Sequence, residues 1–281
     1  MTAPDKIELG SVQKTLLLPL WGRAVESGKP HPLLVDETAA RIMAAIDYDF
    51  STIARNMNPT TRLAWISRSL HIDRSIKKFL EVHPEATIVN LGCGLDTTLQ
   101  RIDNGRLSWY DLDFPDVIDL RRRFIPESPR AHTIAGSILD DAWLRELQVT
   151  DSVFFVAAGV LYYLEESEVK SLLVEIADTF PGAEILFDAC SPLGLKMANE
   201  KVIKAGGMDQ RAMLKWGLRQ ARDMESWDKR IVVSSVYPLF RNFRRGLSFR
   251  EWYGTMLSDT LRIMSMVHLQ LGERRPGIAQ P

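Results

Sequence analysis

Two cysteines, Cys93 and Cys190, are all that this chain of 281 residues carries. A pair of thiols cannot staple a small disulfide scaffold, and such sparing use points to a reducing, cytoplasmic setting. No apolar stretch reaches the roughly 18–20 residues that cross a bilayer, so no membrane partner is expected. The opening "MTAPDKIELG" has no basic segment followed by an apolar one and does not read as a signal peptide. Charge is nearly balanced, net −1, so total charge gives no attraction for nucleic acid. The basic stretch "RNFRRGLSFR" at 241–250 is short and reads as a solvated loop. The five histidines are scattered without paired ligand spacing, and no metal is expected. There is no internal repeat and no low-complexity block.

What is present is ordinary globular material, 46% apolar and 25% charged, enough for one large domain. Residues 10–83 read as a helical cap without a strand. From 84 to 190 short apolar runs alternate with helical patterns: strands at 86–92, 107–113, 131–136, 151–159 and 183–189. Strands with no polar face argue for a parallel sheet covered by helices on both sides. Over 191–272 the alternation breaks: 193–225 reads as a helical insert, 230–238 as a strand, the segment from Ser248 as a helix and 265–272 as a last strand. The expected fold is therefore α/β and Rossmann-like, a mostly parallel sheet in a single domain. The polar tail 273–281 is expected to be loose.

Ligands of such sheets bind beyond the carboxyl ends of the strands. The turn after the first of these strands reads Gly92-Cys93-Gly94-Leu95-Asp96. Missing side chains there allow a tight turn and close ligand approach. Asp96 is the expected cap of the helix that follows. The second strand ends in Asp111-Leu112-Asp113, which places acids 19 and 21 positions past Gly92. An acid about 20 residues beyond a glycine turn suits the two hydroxyls of a ribose. A dinucleotide site would want a third glycine where Thr97 stands, and the acid at 96 would repel a pyrophosphate. Both features favour a sulfonium nucleoside over a nicotinamide cofactor.

"NLGCGLDTTLQRI", "WYDLDFPDVIDLRR" and "AAGVLYYL" together resemble the leucine carboxyl methyltransferase family, over roughly residues 12–190. That family includes the methylators of a phosphatase C-terminal leucine and the tetracenomycin-type polyketide O-methyltransferases. The resemblance implies a class I methyltransferase fold with a seven-stranded sheet, using S-adenosylmethionine and releasing S-adenosylhomocysteine. It implies that Gly92 and Gly94 line the methionine and ribose part, that Asp113 and secondarily Asp111 hold the ribose, and that Arg68 and Lys14 reach the cofactor's carboxylate. Ser137 and Ile138 would flank the adenine, and Ala158 and Gly159 would lie beside the methionine. Three positions depart from the family pattern: Thr98 where many bacterial members have Arg, Ile138 where Asp is common, and Ala158 where Glu is common.

Methyl transfer from a sulfonium is an in-line displacement with an activated donor, so the protein chiefly aligns and desolvates the reactants. A carboxylate acceptor arrives ionised, whereas a phenol with a pKa of about 10 needs a base. No histidine stands at a strand end. The expected activity is O-methylation of a small molecule, preferably at a carboxylate, with Arg23 orienting the anion and Tyr162 and Tyr163 near the acceptor. The alternatives are a nicotinamide-dependent oxidoreductase and a non-catalytic cofactor-binding protein. In this fold the fourth strand lies between those bearing the two cysteines. Their sulfurs are then expected about 9–10 Å apart, beyond the roughly 7 Å Cα limit of a bridge.

Overall fold

The computed structural model describes residues 5–6, 13–204, 212–244 and 246–272, with side chains from residue 15 onward except at 204. The first described element is a two-residue strand β1 (Asp5–Lys6), which pairs with β2 (Ile46–Asp47). This small ladder is absent from the all-helical reading of the cap. Between and after these strands come α1 (Leu17–Ser27), α2 (Glu37–Ala45), α3 (Ser51–Asn56) and α4 (Pro59–Val82). Local chemistry fixes the starts. Asp36 accepts the Ala39 N–H at the head of α2, and Asn58 accepts the Thr61 N–H before Pro59 opens α4.

The central sheet has seven strands in the order β5-β4-β3-β6-β7-β9-β8. They are β3 (Thr87–Leu91), β4 (Ser108–Asp113), β5 (Ala131–Ala135), β6 (Val153–Ala157), β7 (Ala183–Cys190), β8 (Ile231–Pro238) and β9 (Met264–Leu271). Neighbours from β5 to β7 are parallel, and β9 runs antiparallel to both β7 and β8. Each strand lies within two residues of its expected position, and the central ones, buried on both faces, read as unbroken apolar runs. Val89, Phe155 and Phe187 pack with Leu172 and Ile176 on one face. Ile88, Trp109, Phe154 and Leu186 pack with Ile72, Ile76 and Phe79 of α4 on the other. The crossovers are α5 (Thr98–Ile102), α6 (Pro115–Phe124) and α7 (Glu166–Thr179), the last opened by a reciprocal cap between Glu165 and Glu168. As expected, β6 lies between the strands that lead to Cys93 and Cys190. Both thiols are free and buried.

The segment 193–225 is not one helical insert. It contains α8 (Pro192–Ala198), a π-helical turn (Asn199–Lys204) and a short 3-10 turn (Ala221–Ser226). Residues 213–218 have no helical backbone, and 205–211 lie outside the described residues. Tertiary hydrogen bonds override the helical pattern. The Asn199 amide pairs with both backbone groups of Leu214 at 3.0 and 2.7 Å. Lys215 and Trp216 donate to the Tyr162 carbonyl, and Leu218 donates to that of Cys190. This strap crosses the carboxyl ends of β6 and β7. The helix expected from Ser248 is α9 (Phe249–Thr260), with Ser248 as its cap. The tail 273–281 also lies outside the described residues.

Candidate active site

A cavity of about 800 Å³ opens at the carboxyl ends of β3 to β7. Its floor is the glycine turn. Gly92 and Gly94 have φ of +63° and +49°, a region that side-chain-bearing residues avoid. A Cβ at Gly92 would stand 2.5 Å from the Val160 side chain, so the next strand's loop packs directly on this backbone. Asp113, at the end of β4, faces the cavity. Its Oδ2 accepts the Gly94 N–H at 2.7 Å and its Oδ1 accepts the Phe114 N–H at 2.8 Å. Burial pushes its carboxyl up to about 6, against those two hydrogen bonds.

Asp111, two residues earlier, has a different task. It is 4% exposed and does not line the cavity. Its Oδ2 accepts from Arg121 at 2.6 Å and its Oδ1 from Asn90 at 3.0 Å. Arg121 also donates to the carbonyls of Gly94 and Asp96, at 3.0 and 2.7 Å. Asp111 thus props the glycine turn from below through Arg121, and its geometry does not fit the secondary ribose role. Neither acid caps α6, whose cap position is Phe114, without a side-chain bond. Asp96 accepts the Thr98 N–H at 2.9 Å from one residue before the cap position of α5. Burial would raise its carboxyl, but Arg101, Arg23 and Arg121 hold it below the usual range.

On the opposite side of the floor, Arg68 of α4 reaches the ends of β6 and β7. It is 7% exposed and lines the cavity. Its Nη1 donates to Asp188 at 3.0 Å and to the Tyr162 hydroxyl at 3.3 Å. Its Nε and Nη2 have no protein acceptor among the described residues. Gly159, at φ +77°, lies so close that a Cβ there would stand 2.6 Å from Nη1. Asp188 was not anticipated from the sequence, although an acid inside the apolar run "AEILFDA" is a signal of its own. Tyr162 and Tyr163 line the cavity, and burial raises both phenols. Lys14 lies in a single 3-10 turn (Gln13–Leu16), and its side chain is outside those described.

Arg23 lines the cavity, with two of its three guanidinium nitrogens committed to the protein. Its Nε donates to Asp36 at 2.9 Å and its Nη2 to the Leu95 carbonyl at 2.7 Å. Asp36 also accepts from the Thr97 hydroxyl and from Arg101, which is bidentate on Asp73. This network bolts the helical cap to the glycine turn, and Thr97, where a dinucleotide site would have glycine, is one of its bolts. Ser137 and Ile138 line the cavity after β5, and Ala158 after β6. The far wall comes from α8, the strap and α9, with Met197, Ile203, Met213, Leu257 and Ile263 among its residues. Burial raises Cys93 well above its usual range and Cys190 to about 12, so neither thiol is a nucleophile at neutral pH.

A glycine turn, a strand-end acid and a cavity at the switch point of a doubly wound sheet define a nucleoside-cofactor enzyme of the class I methyltransferase type. The family model for leucine carboxyl methyltransferase matches residues 17–177. The chain is 34% identical over 224 residues to the tetracenomycin polyketide synthesis O-methyltransferase TcmP of Streptomyces glaucescens, covering 79% of this chain and 81% of that one. It is 32% identical over 243 residues to the S-adenosyl-L-methionine-dependent methyltransferase dpfgK of Gibberella zeae, covering 79% and 80%. A solved structure from Thermobifida fusca shares the fold, with a TM-score of 0.58 at 18% identity over 92% of this chain and 95% of that one. The chain belongs to the leucine carboxyl methyltransferase family, and is an O-methyltransferase that uses S-adenosylmethionine. The oxidoreductase alternative falls away with that membership. The residues fit the cofactor, since Asp113 offers a carboxylate to the cavity and Arg68 retains two uncommitted nitrogens facing no protein acceptor. When bound, the cofactor supplies a methyl group already activated on sulfur.

Proposed function

We propose that the protein esterifies a carboxylate on a small, largely apolar molecule, with Asp113 holding the cofactor's ribose and Arg68 its methionine carboxylate. One observation carries this reading. Among the described residues lining the cavity, the one carboxyl raised toward neutrality, Asp113, is assigned to the ribose, and no other side chain is a base suited to deprotonating a phenol near neutral pH. No histidine is present, Asp96 is held acidic, and burial raises Tyr162, Tyr163 and both thiols. A carboxylate needs no such base. The volume of about 800 Å³ is near the upper end of the roughly 300–1,000 Å³ typical of small-ligand sites, room for a cofactor and an acceptor together. Lys201 lines the same cavity as Arg23 and brings positive charge for an anionic acceptor, whereas Lys215 on that lining is paired with Glu165 at 3.5 Å. The apolar far wall suits a polyketide-like carbon skeleton, in keeping with the name of the Streptomyces relative. No helix among the described residues is long and apolar enough to cross a membrane, and we place the reaction in the cytoplasm. The test is to transfer a radioactive methyl group and treat the product with mild alkali. Volatile methanol identifies an ester, and label retained in the product rules the carboxylate reading out.

A further inference from the structure

The proposed cofactor orientation has an electrostatic consequence, which rests on that reading. In S-adenosylmethionine the sulfonium and ammonium lie, by covalent structure, between the ribose and the methionine carboxylate. They therefore fall between Asp113 and Arg68. Among the described residues lining that stretch, Gly92, Ala158, Gly159, Tyr162 and Cys190 carry no negative charge. The charge on that wall is the guanidinium of Arg68, which is buried and therefore poorly screened. Alone it would attract the carboxylate and repel the sulfonium. Its counter-ion is Asp188, fully buried behind it. One carboxylate oxygen of Asp188 lies 3.0 Å from Arg68 Nη1, and the other accepts the Gly159 N–H at 2.6 Å.

We infer that Asp188 is a positioning residue that makes the methionine subsite electrically neutral, so that the site accepts the donor with its sulfonium charge and does not favour the thioether product, whose net charge is zero. Asp188 acts through Arg68 and the Gly159 backbone, not by touching the cofactor. The donor and S-adenosylhomocysteine differ by one methyl group and one positive charge, and so the ratio of their affinities reads the local field directly. A merely structural role for Asp188 would weaken both ligands alike.

The test is calorimetric binding of S-adenosylmethionine and S-adenosylhomocysteine to the full chain, with thermal melting to verify folding. Asp188→Asn keeps the shape and removes the charge. It should weaken the donor about tenfold more than the product. Arg68→Gln leaves Asp188 unbalanced. It should weaken both ligands through the lost carboxylate contact, yet move the ratio in the opposite direction, toward the donor. The double variant removes both charges and should bring the ratio back to within about twofold of the wild type. If Asp188→Asn does not fold, the single Arg68 variant and the double variant decide by the same signs. Equal weakening of both ligands in Asp188→Asn, or an Arg68→Gln ratio that does not move toward the donor, overturns the inference. Wild-type protein that binds neither ligand would instead overturn the proposed cofactor site itself.

Discussion

The two walls of the cavity are built on opposite plans. The floor, from the ends of β3, β4, β6 and β7, is backbone and committed charge. Its glycines take conformations other residues avoid, and Asp111, Asp188 and Arg121 are tied into hydrogen bonds below it. The far wall is a short helix, a π-helical turn, an irregular strap and one edge of α9, lined mainly by apolar side chains. Outward from the cavity α9 also exposes Phe249, Trp252 and Tyr253. A floor of that kind tolerates little change in shape and suits one invariant ligand. A wall that varies by side-chain volume alone suits an acceptor that can differ between relatives.

The comparison breaks first at Arg121. Arg121→Met leaves Asp111 buried and without its counter-ion, and should destabilise the fold by about 3–5 kcal/mol. A double variant that also changes Asp111→Leu should recover much of that loss, and chemical denaturation of the three proteins measures it. Were Arg121→Met as stable as the wild type, the floor would not be the rigid element described. Asp113→Ala should act chiefly on binding. It removes charge-assisted ribose hydrogen bonds, costing about 1.5–3 kcal/mol of cofactor affinity, and, since it also takes the acceptor from the Gly94 and Phe114 N–H groups, should lower the melting temperature of the free protein, though less than Arg121→Met does. A variant that binds the cofactor normally would remove Asp113 from the site.

The far wall should answer to a different measurement. Met213→Ala removes apolar contact from the strap side and should lower kcat/KM for the acceptor by about 1–3 kcal/mol in transition-state terms. Cofactor affinity by calorimetry should stay within about twofold. Loss of cofactor binding in this variant would show that the two walls are not independent.

How far these walls could be read from the sequence follows the same division. The floor was legible because its strands are apolar runs and its turn carries glycines and an acid at nucleoside spacing. Asp113 and Asp111 shared that spacing, and only Arg121, ten residues on, tells them apart. Three arginines stand together at 121–123, and nothing in their order shows that Arg121 is the fully buried one. Asp188 and Arg68 meet across a sequence separation of 120 residues. The trace of that pair in one dimension is an acid within an apolar strand, a pattern of buried polarity shared by Asn90 inside "TIVNLG". The ties of Arg23 are hidden for a related reason, because its partners Asp36 and Leu95 lie far apart in the chain. The far wall misled more, since residues 213–218 owe their backbone to hydrogen bonds with the ends of β6 and β7 and not to their own pattern.

The smallest expected effect is a pH dependence that belongs to the floor alone. Burial raises the Asp113 carboxyl to about 6 in the free protein. Its charged form accepts hydrogen bonds from the ribose hydroxyls, and its protonated form offers one oxygen fewer. Cofactor affinity should therefore be nearly complete above about pH 7 and decline as the pH falls through about 6, by about tenfold at pH 5. The sign for stability is reversed. A carboxyl whose pKa is higher folded than unfolded binds more protons in the folded state, and the free protein should lose stability from this group as the pH rises from about 4 to about 6. Asp113→Asn should flatten both profiles, whereas Met213→Ala should leave both unchanged. Calorimetric titrations between pH 5 and 8 in buffers of different ionisation enthalpy would also register proton release on binding at pH 6. An affinity that stays level from pH 8 to pH 5 in the wild type would mean that Asp113 does not face the ribose, and that the nucleoside end of the floor lies elsewhere along the strand ends.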